Sequence, residues 1–526
     1  MINRRINPVT NQYLTPAVVL VADRTLSAEY RILFEGIFAT MQTTHVPEFA
    51  MRGFLSRPVK TDNHGRAKIV PLGLRRVEAA LLKYTDMGPE DIVCTTPEEL
   101  PNLLGPWVKV VGVSSSDPLG MGMSNTTTIN FWDGELYTSF WTRQMLEQIA
   151  QAKHKYNFKV VGGGAGAWQW HRYRDKTADE TIDVIYEGYF ESSGPKLFID
   201  LIEGIQTKNH ICETDTAAEM IQPIEAATMA GIIEISRGCG RGCKFCTMAG
   251  KKMEHLSPDT ILADLETNVA NGISTVVSAS EDFFRYGSST VKPDFDKLAN
   301  LLEQMRKIKG LSFMQLDHAN ITSVLQLTDE QLREIRRLLS WEKHTKYLWV
   351  NMGIESANGN LVAANCPGKI HPFDPEDWEK LVRQAADKMS KSGFFSVFSI
   401  ILGLPGEAPD DIERTLKLVE YLGTKHAVIF PIFYEPLASD EIRFTVEQMN
   451  AQHLKLFRTC YEINFRQVPR LFRDNQRAAG VSYAKRMLIQ LLGKGETLLW
   501  KRNFTKIKKL ISNRSVIEEA SQCPTT

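Results

Sequence analysis

The sequence predicts an α/β protein in three parts: an N-terminal doubly wound parallel sheet, a full or partial (β/α) barrel, and a helical C-terminal region. Three observations predict it. Apolar runs of strand length alternate with helical periodicity from Ala17 to about Gly204, and do so again from Gly231 to Leu422. Between these runs, Ile205 to Ala230 is polar and mixed. Beyond Pro436 strand-like runs stop, and Lys and Arg dominate Lys455 to Lys509. These breaks place the parts at 1–204, 231–436 and 437–526, with a linker at 205–230.

In the first part the predicted strands are Val18 to Ala22, Asp91 to Thr95, Val108 to Ser114, Phe158 to Gly162 and Ile182 to Tyr186. Helices are predicted at Leu72 to Tyr84 and at Thr142 to Tyr156, where Met145, Ile149 and Ala152 share a face. In the second part strands are predicted at Gly231 to Ser236, Thr275 to Ser278, Ser312 to Leu316, Tyr347 to Gly353 and Phe395 to Leu402, with helices between them. In both architectures the chemistry belongs at the carboxyl ends of the strands.

A chain of 526 residues exceeds one ordinary hydrophobic core. Its 62 basic and 62 acidic side chains cancel, so no overall field draws it to nucleic acid, and no nucleic-acid partner is expected. No apolar run reaches the length of a spanning helix. Arg4 and Arg5 precede the short run Ala17 to Ala22, which reads as a buried strand rather than a leader. Eight cysteines are too sparse for a disulfide scaffold, and three fall within eight residues, which points to metal in a reducing, cytoplasmic setting. Cys94, Cys212, Cys366, Cys460 and Cys523 stand singly and read as ordinary thiols.

The strongest motif is Glu234-Ile-Ser-Arg-Gly-Cys239-Gly-Arg-Gly-Cys243-Lys-Phe-Cys246, directly after the first strand of the second part. Three thiolates spaced C-x3-C-x2-C can hold three irons of a [4Fe-4S] cube and leave the fourth open. Structural zinc wants four protein ligands, and His255 is the nearest further candidate. Three unliganded cysteines would instead be oxidisable thiols beside Arg and Lys.

With this motif the sequence resembles the radical S-adenosylmethionine (SAM) superfamily. The resemblance implies that the open iron binds the amino and carboxylate groups of SAM and that Phe245 lies beside the cofactor. It also implies cosubstrate contacts at later strand ends. These are Ser280, Glu281 and Asp282 at an acidic motif whose usual glycine pair is replaced by Ala279-Ser280, then Glu355 and Ser356, then Gly403 and Leu404. By themselves Glu355 reads equally as a barrel-core carboxylate and the Gly-Leu-Pro-Gly run as a plain turn.

The first part resembles the cobalamin-binding, Rossmann-like domain that precedes the barrel in cobalamin-dependent radical SAM enzymes. Its ligand-facing segments match Leu72-Gly73, the loop Ser114, Ser115, Ser116, Asp117, Pro118, Leu119, Gly120, the loop Gly162, Gly163, Gly164, Ala165, Gly166, and Glu187-Gly188. Glycine and serine loops at one sheet edge let a flat macrocycle lie against backbone. The same glycines fit a dinucleotide fingerprint, but that belongs after the first strand of its domain. Asp62-Asn63-His64-Gly65 carries only half of the motif that supplies a lower histidine ligand, so cobalt without protein histidine ligation is expected and His64 reads as a surface residue.

The resemblance implies a methyltransferase that acts on an unactivated carbon through a 5′-deoxyadenosyl radical and methylcobalamin, with a second SAM restoring the methyl group. A cobalamin-dependent rearrangement or cyclisation, and an iron–sulfur electron-transfer or binding protein, are the alternatives. The substrate would be a small molecule, lipid or peptide, and reduction would need an external electron donor. The basic C-terminal region, with Leu491, Leu498 and Trp500 among its apolar residues, is expected to pack on the barrel, with peripheral membrane contact as the other reading.

Overall fold

The computed structural model describes residues 14–340, 346–437 and 441–521. Arg4, Arg5 and Cys523 lie outside them. By its contacts the chain divides into two units. The first comprises Met1–Cys239, Lys251–Ser280 and Glu303–Met314; the second comprises Gly240–Gly250, Glu281–Leu302 and Gln315–Thr526.

The first unit is built on a six-stranded parallel sheet of β1 (Val18–Ala22), β2 (Ile92–Thr95), β3 (Val110–Ser114), β4 (Lys159–Gly163), β5 (Val184–Glu187) and β6 (His210–Cys212). The strand order is β2-β1-β3-β4-β5-β6, with Val18 level with both Ile92 and Val110. All five residues of β1 are buried, as a central parallel strand covered on both faces requires. Its side chains alternate between two cores. Val18, Leu20 and Ala22 pack with Leu74, Leu81 and Phe198, whereas Val19 and Val21 pack with Met145, Leu146 and Ile149. Helices Leu72–Tyr84 and Gly194–Ile202 therefore cover one face and Tyr137–Lys153 the other, which is the doubly wound arrangement. The direction of strand order reverses at β1, so the carboxyl ends of β1 and β3 flank a natural ligand crevice.

Strand β6 lies in the stretch that the sequence reading takes as polar linker. Only Ile211 of its three residues is aliphatic, too little for a periodicity signal. Helix Tyr137–Lys153 starts five residues earlier than the expected Thr142, because Tyr137 and Trp141 are buried with Tyr30 and Met51.

The second α/β run opens with β7 (Ile232–Glu234) and a short antiparallel pair, β8 (Ser236–Arg237) with β9 (Glu254–His255). That pair closes the base of the cysteine loop. Strands β10 (Thr275–Ala279) and β11 (Phe313–Leu316) join β7 in the order β11-β10-β7. Strands β12 (Leu348–Glu355), β13 (Phe394–Leu402) and β14 (Ala427–Phe433) form a second parallel sheet in that order. Within the second unit one parallel bridge joins His318 to Asn351 of β12. Each three-stranded sheet alternates along the sequence with helices, the β/α pattern expected of the second part. The sequence reading has no strand at β14, where Pro431 interrupts the run; proline is tolerated there because β14 is an edge strand.

The C-terminal region is helical, with helices Ala451–Ala478 and Tyr483–Ser521. Asn464 docks the first on β14, accepting from Ile429 N–H at 2.8 Å and donating to Ile429 C=O at 2.7 Å. Trp500 and Phe504 of the second pack on Phe457 and Tyr461.

Candidate cofactor sites

Within the first unit a cavity of about 190 Å³ opens at the carboxyl ends of β3, β4 and β5. Leu72 and Gly73 at the start of a helix line it, with Ser114, Gly163, Gly164 and Gly188 from the strand ends. These are six of the residues that the sequence reading puts against a cobalamin. Two of the glycines are required by the backbone. Gly164 has φ +93, and a Cβ there would lie 2.7 Å from both Ser114 Oγ and Ser115 C=O; Gly188 has φ +112 and lies against Glu213 C=O. Gly73 has open space where a Cβ would be. Glycine backbone therefore forms the strand-end part of the wall, beside larger side chains such as Leu74, Tyr186, Phe190 and Phe198.

The other expected residues of this group hold the loops rather than the wall. Ser115 hydrogen-bonds Thr142 at 3.0 Å. Asp117 accepts from Gln169, Asn125 and Gly122, and burial nonetheless raises its pKa. Gln169 also accepts from Leu119 N–H. Gly120 adopts φ +72, and Gly166 fits where a Cβ would strike Ser116 and Pro118. Gly162 faces Ile182 and Trp170 in the core, Ala165 is exposed, and Glu187 pairs with His210 at 2.8 Å. His64 is exposed, as expected.

The cavity also has a charged wall that the sequence reading leaves unassigned. Arg237 donates twice to Glu191 at 2.8 Å and once to Glu234 at 2.7 Å. Arg76 reaches Asp264 at 2.5 Å and Glu234 at 3.4 Å. All five groups are buried. Burial pushes the Glu234 carboxyl up, but the guanidiniums of Arg237 and Arg76 outweigh it and hold its pKa below the usual value. Tyr189, which lines the cavity, lies under the Arg237 guanidinium at 4.3 Å. The motif Glu234-Ile-Ser-Arg237 thus builds this wall immediately before Cys239.

Glycine shapes the start of the cysteine loop. Gly238 has φ +75, and any Cβ would collide with Lys252 C=O, while Cys239 N–H donates to Lys251 C=O at 2.9 Å. In the second unit Cys246 N–H donates to Cys243 C=O and Gly242 N–H to Ala249 C=O, a compact winding with both thiols part-exposed. Segment Asn365-Cys366-Pro367-Gly368-Lys369 clamps it: Lys244 N–H donates to Asn365 C=O at 3.0 Å and Gly368 N–H to Arg241 C=O at 2.8 Å. The clamp brings the Cys366 thiol to Cys243 as a hydrogen-bond partner. That contact, opposed by burial and helped by the nearby Lys369 ammonium, lowers the Cys243 pKa to about 7. A thiol biased toward thiolate suits an iron ligand, although among the described residues no three His, Cys, Asp or Glu side chains are gathered closely enough to hold a metal ion.

The residues expected around SAM divide by environment. Glu281 is largely buried, which raises its pKa, and it faces His318 and Asp317. Asp282 is fully buried and accepts from Arg241 at 2.9 Å and Ser323 at 2.6 Å, so it braces the cysteine loop. Ser280 hydrogen-bonds Ser236. Glu355 has φ +65 and pairs with Lys369. Ser356 is buried and accepts from Asn358 N–H. Gly403, at φ +77, donates to Glu407, and Leu404 is buried beside it in sequence. Phe245 packs edge-on against Tyr434.

Residues 233–419 match the family described as the Radical SAM superfamily. Among curated proteins, the ribosomal protein uS12 methylthiotransferase RimO of Leptospira biflexa is 24% identical over 206 residues, 39% of this chain and 41% of that one. RimO of Fervidobacterium nodosum is 26% identical over 284 residues, covering 52% and 59%. The tRNA-2-methylthio-N(6)-dimethylallyladenosine synthase of Marinomonas sp. is 22% identical over 257 residues, covering 45% and 54%. The chain therefore spans less than two thirds of the length of these relatives.

Two structures of the radical S-adenosylmethionine methyltransferase TsrM from Kitasatospora setae share the fold at 13% identity. The form with cobalamin and a [4Fe-4S] cluster has a TM-score of 0.52 and covers 80% of this chain and 76% of that one. The form with tryptophan substrate and the SAM analogue aza-SAM has a TM-score of 0.51 and covers 79% and 73%. Such coverage extends the likeness well beyond residues 233–419. Residues 233–419, a little over a third of the chain, are thus the part similar to the Radical SAM superfamily.

Proposed function

We propose that this protein is a cobalamin-dependent radical SAM methyltransferase that methylates an unactivated carbon. The observation that carries the reading is the glycine-walled cavity at the carboxyl ends of β3 to β5, in the unit whose chain runs directly into Cys239. The shared fold with a cobalamin-bound methyltransferase supports it.

When bound, the cluster and SAM supply a 5′-deoxyadenosyl radical, and cobalamin supplies the methyl group. The chain's own residues hold and orient these groups. Cys239, Cys243 and Cys246 would hold three irons. Glu281, Glu355, Ser356, Gly403 and Leu404 would contact the cosubstrate, and Asp282 keeps Arg241 in place within the cysteine loop. Leu72, Gly73, Ser114, Gly163, Gly164 and Gly188 would hold cobalamin at the carboxyl ends of these strands. The ion network of Arg237, Glu191, Glu234 and Arg76 fixes the edge of that wall. The substrate class is a small molecule, and the place of action is the cytoplasm.

The test is anaerobic reconstitution with iron, sulfide and hydroxocobalamin, then reductant and SAM. The expected products are 5′-deoxyadenosine together with S-adenosylhomocysteine, both lost in Cys243→Ala. Retained cobalamin and deoxyadenosine without S-adenosylhomocysteine would replace methyl transfer by rearrangement or cyclisation. A cluster with no retained cobalamin would overturn the proposal.

A further inference from the structure

Among its described side chains, the C-terminal helix Tyr483–Ser521 has one apolar face that is covered and one that is open. Trp500, Phe504, Ile507 and Ile511, spaced four, three and four apart, are each less than a tenth exposed. They form the stripe that packs on helix Ala451–Ala478. A second stripe runs through Tyr483, Met487, Leu491 and Leu498, spaced four, four and seven apart. It is open: Tyr483 is 65% exposed, Leu491 67% and Leu498 68%. Leu492 and Leu499, one step round the helix, widen it.

Exposed leucines at helical spacing along one face are not the scattered apolar residues of an ordinary surface. Their charged surroundings select the occupant. Residues 483–513 contain eight Lys and Arg and a single acid, Glu496, in a chain whose total charge is zero. Lys494, Lys501, Arg502 and Lys509 fall at helical positions on or beside the open stripe, where long basic side chains can lay their stems along apolar surface and reach anionic headgroups. Exposed leucines interleaved with lysine and arginine on one helix face offer both apolar contact and charge to an anionic membrane interface. Among the described residues no helix is long and apolar enough to cross a membrane.

We propose that the open face of helix Tyr483–Ser521 docks the protein on an anionic lipid surface. The inference is independent of the cofactor reading, because it needs neither cluster nor cobalamin.

The experiment is vesicle co-sedimentation of the full chain with phosphatidylcholine alone and with phosphatidylcholine plus phosphatidylglycerol, at low and high salt. Binding is expected to the anionic vesicles only and to fall with salt. Both Leu491→Gln/Leu498→Gln and Lys501→Gln/Arg502→Gln are expected to weaken it at least about tenfold. These side chains are exposed, and matching far-UV circular dichroism checks that the fold is kept. No sedimentation with anionic vesicles, or equal sedimentation with neutral ones, would overturn the proposal. So would a dimer in analytical ultracentrifugation that the leucine variant splits, since the face would then join two copies of the chain.

Discussion

Lys369 sets its ammonium against the Glu355 carboxylate, with both side chains about nine-tenths buried. Three features of the strand end make the pair fit. Glu355 takes a left-handed backbone at φ +65, the β12–β13 register shifts between Gly353 and Glu355, and a Cβ on Gly353 would strike both charged groups. Glu355 is also one of the two carboxylates proposed to contact SAM. Lys369 therefore holds it in place before any cosubstrate arrives.

The same ammonium favours the charged form of Cys243. A positive charge beside a cluster ligand stabilises the reduced, more negative cluster. Lys369→Met is expected to move the reduction potential of the reconstituted cluster to more negative values, with Lys369→Arg intermediate, in an EPR-monitored redox titration. Removing the cation also strands Glu355, at a cost of about 3–5 kcal/mol in denaturant unfolding. An unchanged potential would mean that Lys369 serves only the carboxylate.

Gly73 offers a direct test of the proposed cobalamin wall. It sits in the first turn of helix Leu72–Tyr84 with open space at its Cβ position, so a side chain can be added without backbone strain. Gly73→Trp is expected to fill the cavity and cut hydroxocobalamin retention after desalting at least tenfold. Its stability should hold or rise by up to about 1 kcal/mol, since glycine is a poor helix former. Full retention would remove this cavity from the binding site.

Arg237 is the centre of the buried network. Arg237→Leu leaves Glu191 without its two hydrogen bonds and Glu234 with Arg76 alone, which is expected to cost about 3–5 kcal/mol. Because Glu234 has a lowered folded-state pKa, its contribution is present above the ordinary carboxylate pKa near 4.5 and is lost as pH falls through the folded value. Glu234→Gln should therefore flatten the acid side of a plot of denaturation midpoint against pH.

The elements that sequence reveals are those with a strong local signal. Helix Leu72–Tyr84 has the predicted bounds because Pro71 precedes it and Leu74 and Leu81 fall on one buried stripe. The three cysteines of the loop declare themselves by spacing. Cys366 and Lys369 do not, since their contact with the loop depends on a turn at Pro367-Gly368 more than a hundred residues later in the chain. Glu191 is equally silent, because its partner Arg237 is set by tertiary packing. Cys366 reads as a plain buried thiol in sequence, and burial alone agrees; only its neighbour Cys243 gives it a further role.

Asp23, at the carboxyl end of β1, is the clearest case of a group whose charge opposes folding. It is fully buried, accepts from Thr25 N–H at 2.8 Å, and also bonds Ser115 of the cradle loop. Burial outweighs these bonds and raises its pKa from 3.8 to about 6. The folded state thus binds the proton more tightly than the unfolded chain. Stability from this group is full below about pH 4 and is lost as pH rises through 6. Asp23→Asn keeps an acceptor for Thr25 and removes the buried charge. It is expected to stabilise the protein by up to about 3 kcal/mol at pH 7.5 and by little at pH 4. Urea unfolding at the two pH values measures the difference, and equal effects at both would show that Asp23 is already neutral, or already compensated, in the folded protein.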